Sequence, residues 1–424
     1  MYKAVLRTIS DETWWILLAC VCAIIWNSNS NDYYYYIAPD FHNDTAGYVT
    51  EYPVILWSKH STEHYIQLAA DYIAVCGKLK CTVARYSEEI QQNVNVAYIF
   101  DPHTWSPHIP LVPPHPAIAI RGLFLTESPT FCVECMDERT IRSFNFSSTY
   151  SRYSDVPFPL QWIQSLDNIT SKKYYIDIVK KNTFLKEISP ILYLQSHCLT
   201  STERDLYVQE LIKYQTIDSF GACLNNKEIP LNLRRDSFYM SKLYSEDILK
   251  FIARYKFVIA IENSVCNDYV TEKFWRAIHV GVVPIYFGSP SIRDWFPNKK
   301  SAILLEDFPS PKLLSTHIDK LMRNDDMYEE YLEHKTKGII TNKYLRNEIK
   351  ARPYQTDITL IIEKFTCFLC EKLHGMNDGP APHRVINESH FNCPLPRSAL
   401  TQRVNPVNPW VSYTRSIIRN LTRI

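Results

Sequence analysis

Short apolar runs separated by polar stretches cover most of this chain, and their lengths sort into strands and helices. Runs of strand length stand at 54–57, 81–84, 96–100 and 118–124, and residues 63–75 carry apolar positions at helical spacing. The segment 106–117 is Pro-rich and predicts a surface loop. A second alternation starts near Pro190. It predicts a strand at 191–194, a capping box Thr200-Ser-Thr-Glu203, a helix over 203–214 and a strand at 217–220 closed by Gly221. A strand at 257–261, a helix with Glu272 and Lys273 in its first turn, and strands at 282–287 and 302–305 follow. Residues 309–350 are helical and charged in pattern. Strands alternating with helices predict an α/β protein. The division is an amino-terminal α/β domain at 51–165, a linker at 166–188 without clear period, a carboxyl-terminal α/β domain at 189–350 and an extension at 351–424. Beyond 375 the extension is rich in Pro and Asn and is expected to pack loosely.

The amino terminus stands apart. Residues 14–26 are apolar throughout, and at ~1.5 Å per residue they reach roughly 20 Å, short of a ~30 Å hydrocarbon core. Lys3 and Arg7 precede this run and no Lys or Arg follows until Lys59. The positive-inside rule then makes 1–13 a cytosolic tail, 14–26 a short signal-anchor and 27–50 a polar, Tyr-rich stem, with the body lumenal. A cleaved signal peptide is the rival reading, with Ser28 and Ser30 as small residues near a cleavage site.

Composition narrows the class. With 424 residues and a net charge of +1, the chain has room for two domains and lacks a nucleic-acid footprint. Of 12 cysteines, Cys20 and Cys22 lie in the apolar run. Cys76 and Cys81 close a small loop, and Cys132/Cys135 and Cys367/Cys370 are each C-x-x-C, too far apart in the chain for a compact zinc module. In an oxidising compartment, local disulfides are the expected outcome. N-x-S/T sequons at Asn43, Asn145, Asn168, Asn387 and Asn420 agree with secretory passage.

The chemistry concentrates at 257–290. An apolar strand runs into the polar cluster Glu262, Asn263, Ser264, Asn267, Asp268 and Tyr269, then a helix, then a second strand. Ligands bind at the carboxyl ends of strands in such a βαβ unit. Thr271 and Glu272 fall where backbone N–H groups are unpaired and the dipole is positive, and Lys273 adds a full charge, a combination suited to a diphosphate.

This stretch resembles the donor signature of the α-1,3-fucosyltransferase family. The matching positions are Phe257, Glu262, Asn263, Ser264, Asp268, Tyr269, Thr271, Glu272, Lys273, Ala277, Gly281, Val283, Pro284 and Gly288, and the likeness extends from about Val54 to Cys370. The segments 123–129, 144–162, 193–211 and 218–226 look like one subgroup, fucosyltransferases 10 and 11, linked to protein O-fucosylation in the endoplasmic reticulum. The resemblance implies a GT-B architecture: two Rossmann-like domains facing a cleft. It implies inverting transfer of fucose from GDP-fucose, with no metal or other cofactor, in the endoplasmic reticulum or Golgi.

The same resemblance assigns roles. Glu127, after the strand 118–124 and before Pro129, is the expected general base; the family's preceding His-Glu is replaced by Leu125 and Thr126. Without the resemblance, Glu127 reads as a solvent-facing turn residue and Arg204 as a surface arginine. Arg204 and Lys273 would neutralise the diphosphate, which suits the absence of any Asp-x-Asp from the sequence. Glu272 would accept from ribose hydroxyls, Tyr269 would pack on the nucleoside, and Asn263 would contact fucose or simply close an Asx turn. Tyr150 and Arg152 align with a segment on the acceptor side. Three readings stand: a Ser/Thr hydroxyl of a folded, cysteine-rich protein as acceptor, N-acetylglucosamine of an N-glycan as acceptor, or an inactive lumenal binding protein.

Overall fold

The computed structural model describes residues 51–58, 71–86, 95–102, 118–233, 243–376, 385–387 and 390–421. All of them belong to one compact unit, 47–233 with 243–424. The readings made for the tail, the apolar run and the stem, with Cys20, Cys22 and Asn43, lie outside the described residues, as does the Pro-rich segment. Among the described residues no helix is long and apolar enough to cross a membrane.

Two sheets carry the fold. The first has the order β2-β3-β1-β4-β5-β6, built from Val54–Trp57 (β1), Tyr72–Cys76 (β2), Leu79–Arg85 (β3), Val96–Phe100 (β4), Ile118–Leu125 (β5) and Phe146–Thr149 (β6). Its pairs are parallel except the β2–β3 hairpin. The second has the order β11-β10-β9-β7-β8, all parallel: Ile191–Leu194 (β7), Ile217–Phe220 (β8), Phe257–Ile261 (β9), Val283–Phe287 (β10) and Ile303–Leu304 (β11). β1, β4, β9 and β10 are buried along their whole length, which is why they read as unbroken apolar runs rather than alternating ones. The α/β expectation holds.

Local corrections have local causes. Residues 72–75, expected at the end of a helix, form β2, because Gly77 at φ +65 turns the chain back onto β3 and Tyr72-Ile-Ala-Val-Cys suits a strand. The capping box does not form. Glu203 sits in the left-handed region at φ 51 with no side-chain cap, Thr200 pairs with Thr202 instead, and the helix is Arg204–Leu211. The linker holds two short helices, Leu166–Thr170 and Ile178–Phe184, started by Ser165 and Asp177.

The helix Ile358–His374 lies on the first sheet. Phe365 stacks with Phe124 at 6.4 Å, and Gly122 leaves room for it: a Cβ there would come within 3.0 Å of the Phe365 ring. Two disulfides fasten this helix to the hairpin, Cys76–Cys367 and Cys81–Cys370. The local pairs expected for these four cysteines are therefore replaced. Each pair faces across from its own element to the other, so the bridges run between elements. Cys132–Cys135 is local as expected, and Cys198–Cys223 and Cys266–Cys393 complete the set among the described residues. The described residues beyond 375 pack more closely than the composition suggests: Ile386, Phe391, Ala399 and Val411 are buried, and a helix runs over Pro409–Leu421.

Candidate active site

The carboxyl ends of β5 and β9 bring the chemistry together. Glu127 follows β5, and the Tyr269 hydroxyl donates to its Oε2 at 2.5 Å. Tyr269 reaches it from the loop after β9, which ends in the helix Glu272–Val280. Burial pushes the Glu127 carboxyl above its ordinary range. The Tyr269 hydroxyl and Lys273 pull it back, and Glu272 adds to the rise. A carboxyl raised in this way, yet still steadied by a donor, suits a general base.

At the start of that helix Thr271 caps the Lys273 N–H. Glu262 is fully buried below it. One Glu262 oxygen accepts the Thr271 N–H and the other the Thr271 hydroxyl, both at 2.7 Å. Gly288 makes this possible: a Cβ there would stand 2.5 Å from the Glu262 Cγ. Burial raises the Glu262 carboxyl to about 7. The Lys273 ammonium lies 3.0 Å from the Thr271 hydroxyl, 3.2 Å from Glu272 and 3.6 Å from Glu262. Burial alone would lower the Lys273 ammonium, but Glu272 and Glu262 outweigh it and hold it above its ordinary value. Burial likewise works to raise Glu272, and Lys273 with Arg276 reverses the sign. Lys273 and Arg276 also line a small cleft with Leu194, Gln195 and Ala277.

Arg204 is 1% exposed. It donates to Asn263 Oδ1 at 2.8 Å, to the Ile261 carbonyl at 3.3 Å and to the His197 carbonyl, while its Nε has no hydrogen-bond partner. Arg204 and Asn263 thus form one unit behind the carboxyl end of β9. A serine relay ties the loops: Ser201 donates to the Asn263 carbonyl at 2.8 Å, and Ser264 lies 3.1 Å from both Ser201 and Ser128, the neighbour of Glu127.

Three of the expected roles change. Tyr269 is 1% exposed and bound to Glu127, so it orients the carboxylate rather than offering a face to a nucleoside. Tyr150 is equally buried, packed edge-on against Tyr269 at 5.2 Å and against Phe391 at 5.5 Å, behind the site and not on an acceptor surface. Arg152 is a latch. Its guanidinium grips Asp268 at 2.6–3.0 Å and Asp294 at 2.9 Å, and sits 4.7 Å over the Trp295 ring. Asp268, at φ 63, also accepts from Ser291 and Trp295, so this knot fixes the residue before Tyr269. Read from the sequence, Glu262 and Ser264 have no function beyond their place in the motif. Their roles come from contacts with Thr271 and with residues 63 to 136 positions away.

The sequons divide by exposure. Asn145 is buried, with its side-chain oxygen accepting the Arg121 N–H at 2.9 Å, and does not suit a glycan. Asn168 is partly exposed and bonded to Gln164, and Asn387 is exposed. Of Cys81, Cys370 and His374, and of Cys198, Asp205 and Cys223, which cluster closely enough to hold a metal, the cysteines are in disulfides.

Fold and site together define an α/β protein with a buried carboxyl–tyrosine hydrogen bond and a buried ammonium at its strand ends. Residues 185–388 match the model described as glycosyltransferase family 10 (fucosyltransferase) C-term. It is 40% identical over 283 residues to "Alpha-(1,3)-fucosyltransferase B" of Drosophila melanogaster, covering 65% of this chain and 62% of that one. It is 39% identical over 293 residues to "GDP-fucose protein O-fucosyltransferase 3" of Gallus gallus, covering 67% and 61%. The chain thus spans about six-tenths of the length of these curated relatives. A solved structure titled "Crystal Structure of alpha1,3-Fucosyltransferase with GDP-fucose" is more distant: 16% identity, TM-score 0.41, over 76% of this chain and 94% of that one.

Proposed function

We propose that this chain is an inverting, GT-B-type fucosyltransferase that moves L-fucose from GDP-β-L-fucose to a hydroxyl of a folded, cysteine-rich protein. The observation that carries the reading is the Tyr269–Glu127 hydrogen bond, which joins a candidate base to the donor motif. Glu127 takes the proton of the acceptor hydroxyl as its oxygen attacks the fucose carbon, and the carbon–oxygen bond to GDP breaks on the opposite face. Negative charge then grows on the diphosphate. Lys273 stands at the helix amino terminus to meet it, with Arg204 behind, so no metal is required. Glu272 is placed to accept from the ribose.

Protein as acceptor is supported by the name of the Gallus gallus relative. The N-glycan alternative keeps the support of the Drosophila melanogaster name. Five disulfides suit a lumenal body in the endoplasmic reticulum or Golgi, held there by the apolar run at 14–26 as a type II anchor.

The test is transfer by the purified protein from GDP-fucose to folded and reduced cysteine-rich modules and to free glycans, read by mass, with and without EDTA. Mass gain of one fucose on the folded module alone, unaffected by chelator, is expected. Equal transfer to the unfolded peptide or to a free glycan overturns the acceptor. Loss in EDTA with rescue by manganese overturns the leaving-group account.

A further inference from the structure

The segment after residue 388 lies beyond the stretch matching the family model, yet its described residues touch the loops after β6, β7 and β9. His390 and Phe391 pack under the loop after β6: the His390 carbonyl accepts from Ser151, its ring meets Ser154 at 3.2 Å, and Phe391 backs Tyr150. Cys393 is then bonded to Cys266, three residues before Tyr269. Further on, the Ala399 N–H donates to the Thr202 carbonyl at 2.7 Å, Asn408 to the Ser201 carbonyl at 3.0 Å and the Trp410 indole to the Leu199 carbonyl at 3.3 Å. The closing helix Pro409–Leu421 packs against the short helix Val133–Met136, which follows Glu127 in the chain.

One contact in this path has a particular consequence. Asn405 Nδ2 donates to Glu203 Oε1 at 2.9 Å. Glu203 is a non-glycine residue in the left-handed region, a strained conformation that persists only when its surroundings impose it. It immediately precedes Arg204 and starts that residue's helix. Its second oxygen is buried without a partner, so among the described residues the Asn405 bond is the side-chain contact that holds the carboxylate.

We infer that residues 390–421 form a strap that positions the donor site, with Asn405 acting through Glu203 to set the direction of Arg204. Asn405 is a positioning residue and does not touch the donor. The effect on donor affinity rests on the fucosyltransferase reading, but the effect on the loop does not.

The test swaps the polarity of one hydrogen bond in the full chain. Asn405→Asp puts two carboxylates face to face, and the double variant Glu203→Gln/Asn405→Asp restores a donor and an acceptor. Calorimetry with GDP and amide exchange of residues 201–206 are read on wild type and both variants. We expect Asn405→Asp to weaken GDP by roughly tenfold, as for a broken buried hydrogen bond, and to speed exchange at 201–206. The double variant should return both to within about twofold of wild type. A merely structural contact would lower the melting temperature with GDP affinity unchanged, and that result overturns the proposal. Unaltered exchange in Asn405→Asp, or no rescue in the double variant, overturns it as well. Should wild type bind no GDP, the transferase reading fails, and the exchange arm alone decides whether the strap holds the loop.

Discussion

At the scale of single residues, the site turns on two atoms of Glu127 and Tyr269. Glu127→Gln keeps the shape and removes the base, so turnover should fall roughly 10²–10⁴-fold with GDP-fucose affinity retained. Wild-type-like turnover in the purified variant excludes Glu127. Tyr269→Phe gives a subtler signal. The Tyr269 hydroxyl lowers the Glu127 pKa against the rise that burial causes, so its loss should raise that pKa further. A base acts when deprotonated, so the acid limb of the kcat/KM profile should move to higher pH in Tyr269→Phe. An unmoved limb would mean that the hydrogen bond does not tune the base.

At the scale of elements, the helix Glu272–Val280 depends on a carboxyl beneath it. Glu262 titrates near 7 when folded, against an ordinary 4.5. Below 4.5 both folded and unfolded chains hold this proton. Between 4.5 and about 7 the folded chain alone holds it, so the contribution of this group is fully present below 4.5 and is lost as pH rises towards 7. Glu262→Gln cannot titrate, and the pH slope of unfolding free energy in that window should change by about one proton, measured by urea denaturation at stepped pH. The two bridges between the β2–β3 hairpin and the helix Ile358–His374 close nearly the same loop, with separations of 291 and 289 residues. Either one then makes the other partly redundant. Removing one by paired Cys→Ser changes should cost about 2–3 kcal/mol, and removing both more than twice that, by chain entropy. Additive, equal losses in non-reducing denaturation would contradict this.

The elements also show how far the sequence could be read. β9, β10 and the helix between them were recoverable because the apolar runs, the Thr271 cap and the Gly281 stop all agree locally. β2 was not, because five residues after a helical pattern have no distinguishing period, and the partner that settles them lies beyond a turn. The capping box failed because Thr200-Ser-Thr-Glu203 is drawn into contacts with β9 and the tail: Thr202 donates to the Glu262 carbonyl at 2.7 Å and Glu203 accepts from Asn405. Local signals lose when distant partners satisfy the same atoms better.

At the scale of the whole molecule, the two sheets meet through Arg152. Its three-way grip on Asp268, Asp294 and the Trp295 ring crosses from the loop after β6 to the loops after β9 and β10. Arg152→Ala would leave Asp268 buried with its charge met only by the backbone N–H of residue 152 and by hydroxyl and indole donors, and breaking such a pair costs about 3–5 kcal/mol. A fall in unfolding free energy of that order, together with loss of turnover, is expected. A variant of unchanged stability with only a raised acceptor KM would return Arg152 to the acceptor side.

The sequence by itself determined the α/β class, the strand ends where chemistry collects, and the identity of the charged groups there, because these follow from local periodicity and a contiguous motif. Tertiary structure decided what those groups do. Tyr269 became a partner of Glu127, Tyr150 a packing residue, Arg152 a latch, and four cysteines exchanged neighbours for partners 289 or 291 residues away. Each outcome depends on which side chains share a buried space. A buried polar group must find its partner wherever the fold supplies one, and that distance in space is not written in the spacing along the chain.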